Sequence, residues 1–330
     1  MLVATAWPVV AAGVVCAELP ERADRIRALR DHDAAGGVAR GRALLEELDA
    51  AGTECPAGRM LLQAAVASNL HIQGRNDAAL DLVGKALTLV DRVSDPVHRA
   101  TVHRTAGVIY WELAAHDRAL EHYHRALADS READDHNGVA RTAGNIGNLH
   151  NTLGNWEEAE RYHLEALEAF QAQGWEQGVA GTLVNLGALA ERRAREWERE
   201  DEPERARAQY EANLDYNRRA LAIFERMENP RGIAYAADNV ARALISLGRP
   251  EEAMDDLDRS LALRREVGDN SGVVQSLLTR ADALAELEAN RAALDVLDEA
   301  YSLLPESSRS LREEVFRRQI DLLAETGDFR

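Results

Sequence analysis

Residues 141–170 read RTAGNIGNLHNTLGNWEEAERYHLEALEAF. Small residues Gly147, Ala159 and Ala166 fall at helical spacing, and residues 153–156, Leu-Gly-Asn-Trp, supply a tight turn between two amphipathic stretches. This is the pattern of a helical hairpin whose arms approach closely at the small positions. Stepping from Gly147 by 40 residues lands on Gly107 and Ala67 upstream and on Gly187 downstream. A step of 54 then reaches Ala241 and another 40 reaches Ala281, so one unit carries 14 extra residues. The second-helix markers keep the same register, at Ala79 and Ala86, Ala119 and Ala126, Ala253 and Ser260, and Ala293 and Ala300. A fixed period between roughly 20 and 50 residues is the signature of a solenoid, whose units bury their apolar faces only by stacking on neighbours.

The repeat resembles the tetratricopeptide repeat, a helix-turn-helix unit of about 34 residues with Leu-Gly, Tyr, Ala, Phe and Pro at set offsets. In the quoted stretch the Leu-Gly pair is Ile146 and Gly147, and the first contact alanine is Ala159. His150 and His163 stand where Tyr and Phe are usual, and the usual Trp and Pro are missing. The 40-residue period with Asn-(Ile/Leu)-Gly is similar to a longer subclass. That subclass is found in LGN-type polarity scaffolds, Rap-type peptide-responsive regulators and the sensor regions of bacterial histidine kinases and diguanylate cyclases. The resemblance spans residues 56–330 and implies an all-α, right-handed α-solenoid of about seven hairpins. It also implies a protein that binds a peptide or protein segment without catalysis and without a cofactor.

Composition narrows the partners. A formal charge of -18 over 330 residues argues against nucleic acid and anionic membranes, which need a basic surface. Two cysteines, Cys16 and Cys55, make neither a disulfide framework nor a zinc site, and Cys55 reads as a partly buried inert thiol. There is no phosphate loop, no nucleophile elbow and no His-Glu-x-x-His pair, so no catalytic residue is assigned. The paired carboxylates Glu157-Glu158 and Glu251-Glu252 sit at helix starts, where the dipole favours them. No metal site is assigned either: His122 and His124, two apart on a helix, point about 200 degrees away from each other. His150 and His163 fall inside one hairpin and could meet as a pH-sensitive pair.

Residues 1–17 are apolar and uncharged, too short to span a bilayer but suited to a signal peptide cut before Glu18. The expectation is a periplasmic or exported protein; the alternative is a cytoplasmic one in which this segment caps the solenoid. Residues 18–55 read as a degenerate capping hairpin and residues 56–330 as the array. The Gly-bearing stretches 134–138, 171–178, 228–232 and 268–272 read as helix stops. The 14 extra residues fall in 190–216 and amount to about two turns added to each helix of one charged hairpin. Its tip is expected near Glu202 and Pro203, with Trp197 as the centre of a contact arm. Residues 310–330 read as an incomplete last repeat, the front part of a longer signalling protein.

In solenoids of this family the first helices line the concave face, and offsets of four, three and four share one side of a helix. In the quoted hairpin that stripe is Arg141, Asn145, Asn148 and Thr152. Its equivalents include Asn185 in the next unit and Tyr235, Asn239 and Arg242 in the one after, with Arg104 close to the same face upstream. Asn amides can satisfy a peptide backbone through both donor and acceptor, and Arg can fork onto a carboxylate. Asn145, Asn185 and Asn239 share one repeat position, so they also suit a packing role.

Overall fold

A computed structural model describes residues 15–305 and 307–326, among which every regular element is helical. The apolar segment 1–14, and with it most of the leader expected at 1–17, lies outside the described residues, as do residues 327–330. The chain divides into two compact units, Met1–Leu153 and Gly154–Arg330, and the division falls within the hairpin from which the repeat was read.

The first unit holds α1 (Leu19–Ala28), a 3-10 turn Leu29–Asp31, α2 (Ala34–Ala51), α3 (Pro56–Ile72), α4 (Asn76–Leu87), α5 (Pro96–Glu112), α6 (His116–Glu132) and α7 (His136–Leu153). Leu19, Ala23 and Ile26 of α1 are fully buried, in one core with Met60, Leu61 and Leu62 of α3. The buried Asn69 amide fixes this docking by donating to the Ile26 carbonyl at 2.9 Å. Folding α1 back onto α3 also brings Cys16 to Cys55, and the two form a disulfide with Cα atoms 5.5 Å apart. The reading of Cys55 as an inert thiol is therefore corrected. Its partner is 39 residues upstream and meets it only through the α1–α3 packing.

The second unit holds α8 (Trp156–Ala172), α9 (Glu176–Arg199), α10 (Pro203–Arg226), α11 (Pro230–Ser246), α12 (Pro250–Glu266), α13 (Asn270–Glu286), α14 (Asn290–Leu303) and α15 (Arg309–Thr326). Helices α9 and α10 are 24 residues long where α11, α12 and α13 are 17, so each gains two turns. The tip is residues 200–202, with Asp201 in the left-handed region.

Helix boundaries follow local chemistry. Proline opens α3, α5, α10, α11 and α12, where its missing N–H is not needed. Asp33, Asp95, Asn229 and Asp269 cap α2, α5, α11 and α13 by accepting a backbone N–H. The glycine stops need refinement. Gly174 and Gly268 do take the left-handed turn, but at the other two junctions the stop is Asp134 (φ 51°) or Glu228 (φ 50°). Gly138, Gly178, Gly232 and Gly272 lie inside the next helix instead, where a Cβ would meet side chains of the preceding helix or turn, such as Phe170 and Phe224.

The marker glycines are small because of what faces them. A Cβ on Gly107 would lie 2.4 Å from ring carbons of Tyr123, which is fully buried on α6. Gly107→Ala is therefore expected to lower stability by about 1–2 kcal/mol in urea unfolding, overpacking outweighing the roughly 1 kcal/mol gained in helix propensity. A stabilised variant would show that the α5–α6 approach is not tight.

Candidate functional site

First helices touch one another within each unit, α3 on α5, α5 on α7, and α11 on α13, with no comparable contact between α4 and α6 or α12 and α14. The first helices thus form the inner layer of each unit. Four sequence candidates, Arg104, Arg141, Asn145 and Asn148, lie on α5 and α7 of the first unit. The other four, Asn185, Tyr235, Asn239 and Arg242, lie on α9 and α11 of the second. All are at least partly open to solvent, as residues of a contact face must be.

In the second unit two of the candidates, Arg242 and Asn239, are already engaged. Arg242 forms an ion pair with Glu191 of α9 at 2.6 Å, and Glu191 also binds Arg195 at 2.6 Å. Asn239 donates to Asn217 of α10 at 3.3 Å, and Asn217 donates to the Asn213 carbonyl at 3.0 Å. Asn239 therefore fixes a neighbouring helix. Tyr235 is 51% exposed and lines an open cavity of about 490 Å³ with Arg231, Arg264 and Asp269. Buried Arg264 is held there by Ser260 at 3.2 Å, with Asp238 and Asp269 at 4.0 and 3.9 Å.

Trp197 is not a free contact arm. It packs inside the extended hairpin against Ala194, Ala206 and Tyr210, with the Arg205 guanidinium 4.7 Å above its ring. The extension is also tied to its neighbours, by Trp156 of α8 donating to the Glu196 carboxylate and by Arg193 binding Glu160 at 2.8 Å.

The first unit is electrostatically different. Arg104 and Arg141 form no ion pair among the described residues, and burial pushes the Arg104 guanidinium down to about 10. The positive charges of Arg141, Arg27 and Arg30 push it in the same direction, with Asp135 the opposing carboxylate. Arg141 and Arg27 are lowered too, again chiefly by burial and then by neighbouring charges. Arg27 binds Asp24 through Nη1 at 2.6 Å, but its Nε and Nη2 are buried without a hydrogen-bond partner. The sequence reading missed Arg27 and Arg30 because they belong to the capping hairpin, which has no repeat register; the signal was the run Arg22, Arg25, Arg27, Arg30.

Two histidines, His103 and His163, are buried. His103 and His122 share an Nδ1–Nδ1 hydrogen bond at 3.1 Å, and Tyr110 stacks on His122 with centroids 5.3 Å apart. Burial pushes His103 down to about 4, so the pair holds one shared proton and no charge at neutral pH. Both ring nitrogens of His163 lack a hydrogen-bond partner, so it is not half of a hydrogen-bonded histidine pair. Among the described residues no group of three or more His, Cys, Asp or Glu is placed to hold a metal ion. No described helix is long and apolar enough to cross a membrane.

The family model described as tetratricopeptide repeat matches residues 59–132, 107–172 and 232–306. Among solved structures, the chain is similar to a signal transduction ATPase (STAND) protein with a tetratricopeptide repeat sensor from Pyrococcus horikoshii. The TM-score is 0.69 at 13% identity, over 93% of this chain and 45% of that one. It is also similar to the apo form of the quorum sensor NprR from B. thuringiensis, at TM-score 0.59 and 14% identity, over 91% and 80%. A Rap protein complexed with competence and sporulation factor matches at TM-score 0.54 and 13% identity, over 96% and 100%. At these identities the likeness carries the fold alone.

Proposed function

Because this chain belongs to the tetratricopeptide repeat family, whose stacked helices hold side chains in fixed register, we propose that it captures a peptide or protein segment along its inner helices without covalent chemistry. The observation that carries this reading is the inner face of the first unit. There, among the described residues, Arg104 and Arg141 lack ion-pair partners, and the amides of Asn145 and Asn148 on α7 are half-buried. Donors held on rigid helices lose little entropy on binding, which favours recognition of an extended backbone. The quorum sensor and the Rap complex among similar structures are consistent with such a role.

The proposal extends to place: an extracytoplasmic sensory or interaction region of a larger bacterial signalling protein. The Cys16–Cys55 disulfide supports it, since disulfides persist in oxidising compartments; the bond requires Cys16 to stay on the chain, so this reading does not include a cut before Glu18. In the alternative, a cytoplasmic adaptor or peptide-responsive regulator, both cysteines are reduced. Thiol alkylation in the native host decides between the two.

The binding reading is tested by selecting a displayed peptide library on the full chain, then measuring the selected peptides against an Asn148→Ala, Asn145→Ala double variant of verified helicity. The expected result is at least a tenfold loss of affinity, from about two backbone hydrogen bonds. Undiminished binding would sink the inner-face assignment.

A further inference from the structure

The open cavity of about 490 Å³ lies in the second unit, where α12 turns into α13. Arg231 and Tyr235 line it from the first two turns of α11, Arg264 from the last turn of α12, and Val267 and Asp269 from the turn itself. Arg231 and Tyr235 are exposed, so they stand at its rim; Arg264 is buried and forms its floor.

The floor is incompletely satisfied. Arg264 is 6% exposed, so its guanidinium has given up most of its water. In return Nε donates to the Ser260 hydroxyl at 3.2 Å, and Ser260 in turn donates to the Ala234 carbonyl at 2.9 Å. The outer nitrogens have only long contacts: Nη1 lies 3.9 Å from Asp269 and Nη2 4.0 Å from Asp238, both beyond hydrogen-bond length. A buried guanidinium in that condition is destabilising until an acceptor completes it. Gly272, in the first turn of α13, leaves it room, since a Cβ there would overlap Nη1. Asp269 is engaged on one side only. Its Oδ1 caps α13 by accepting from Gly272 N at 2.9 Å, while Oδ2 faces Arg264 across the 3.9 Å gap.

This pairing selects the ligand. A simple anion seated on Arg264 lies against the Asp269 carboxylate, and a simple cation seated on Asp269 lies against Arg264 and Arg231; at such separations like charges repel strongly. A molecule with both signs side by side escapes both repulsions. An α-amino acid carries its ammonium and carboxylate on one carbon, so it closes the gap from both sides. Its carboxylate accepts from Nη1 and Nη2, and its ammonium donates to Asp269 Oδ2. Tyr235, 51% exposed, and Val267 then offer an apolar wall to the side chain. The cavity is within the range of small-ligand clefts, about 300–1,000 Å³.

We infer that this cavity binds a free α-amino acid with a large apolar or aromatic side chain, its carboxylate on Arg264 and Arg231, its ammonium on Asp269 and its side chain against Tyr235. The site stands apart from peptide capture, which is read from the first unit.

The test titrates the full chain calorimetrically with L-phenylalanine, with 3-phenylpropionate, which lacks the ammonium, and with phenethylamine, which lacks the carboxylate. The expected result is that L-phenylalanine binds and each of the other two binds at least tenfold more weakly, the size of one charge-assisted hydrogen bond. Asp269→Ser keeps a cap on α13, because serine also accepts a backbone N–H at that position. It is expected to weaken L-phenylalanine at least tenfold and to leave 3-phenylpropionate unweakened, a split that a merely structural role would not produce. Tyr235→Ala, at an exposed position outside the core, is expected to weaken L-phenylalanine about fivefold and so tests the site even where Asp269→Ser fails to fold. The inference is overturned by no binding of L-phenylalanine at millimolar concentration, or by 3-phenylpropionate binding as tightly as L-phenylalanine, which would make the cavity a plain anion site. Equal weakening of both ligands by Asp269→Ser, or unchanged binding to Tyr235→Ala, overturns it as well.

Discussion

Replacing Cys55 by serine will lower the stability of the first unit by about 4 kcal/mol, the chain-entropy value for opening a loop of 39 residues. That loop contains all of α1 and α2. In the unfolded chain the bond denies freedom to both, whereas in the folded chain it joins residues that the packing of Leu19, Ala23 and Ile26 already brings together. Reductant should reproduce the loss in the wild type and do nothing further to the variant. Hydrogen exchange should show α1 opening first, because little besides its buried face and the Asn69 bond to the Ile26 carbonyl holds it. Equal urea midpoints with and without reductant would mean that α1 docking alone carries the cap.

His163→Phe will stabilise the protein, and more so as the pH falls. His163 is fully buried on α8, both ring nitrogens lack partners, and burial pushes its pKa from 6.5 down to about 4. A base depressed in the folded state binds more protons when unfolded, so wild-type stability is complete above about pH 6.5 and falls as the pH drops toward about 4. At ~1.4 kcal/mol per unit, this one imidazole contributes on the order of 3 kcal/mol across that window. Phenylalanine removes the titration and the orphaned nitrogens together, since replacing an unsatisfied polar group by an apolar one of similar shape is neutral to stabilising. Urea unfolding at about pH 7 and about pH 5 should show a shallower slope for the variant, not a flat one, because His103 keeps its own share. An unchanged slope would mean that His163 is hydrated or partnered in solution.

Much of this fold was legible because steric contact writes small residues into the sequence. Gly107 must be small because Tyr123 lies against it, and Gly187 because Asn217 does, so the 40-residue step is a record of helix approach. The 14 extra residues resolved as two turns on each of α9 and α10 for a similar reason: whole turns return every side chain to its face. Partners were less legible than positions. Spacing placed Arg242 and Asn239 on a shared face, but that Glu191 and Asn217 hold them depends on neighbouring helices 51 and 22 residues away. Cys16 and Cys55 were invisible as a pair because a capping hairpin repeats nothing and its return path is set by burial alone. Arg27 and Arg30 escaped notice for the same reason.

The extended hairpin also has a mechanical meaning. A stack of helices bends by many small slips at its interfaces, and an interface resists slipping in proportion to its length and the number of ties across it. Helices α9 and α10 share an interface longer by two turns, and polar ties join α9 to α8 on one side and to α11 on the other. Within the second unit this makes a stiff splint at the α8–α11 end. The helices that follow, α11 to α15, carry no such extension, and the last of them presents Phe316 and Ile320, 48% and 61% exposed, to solvent.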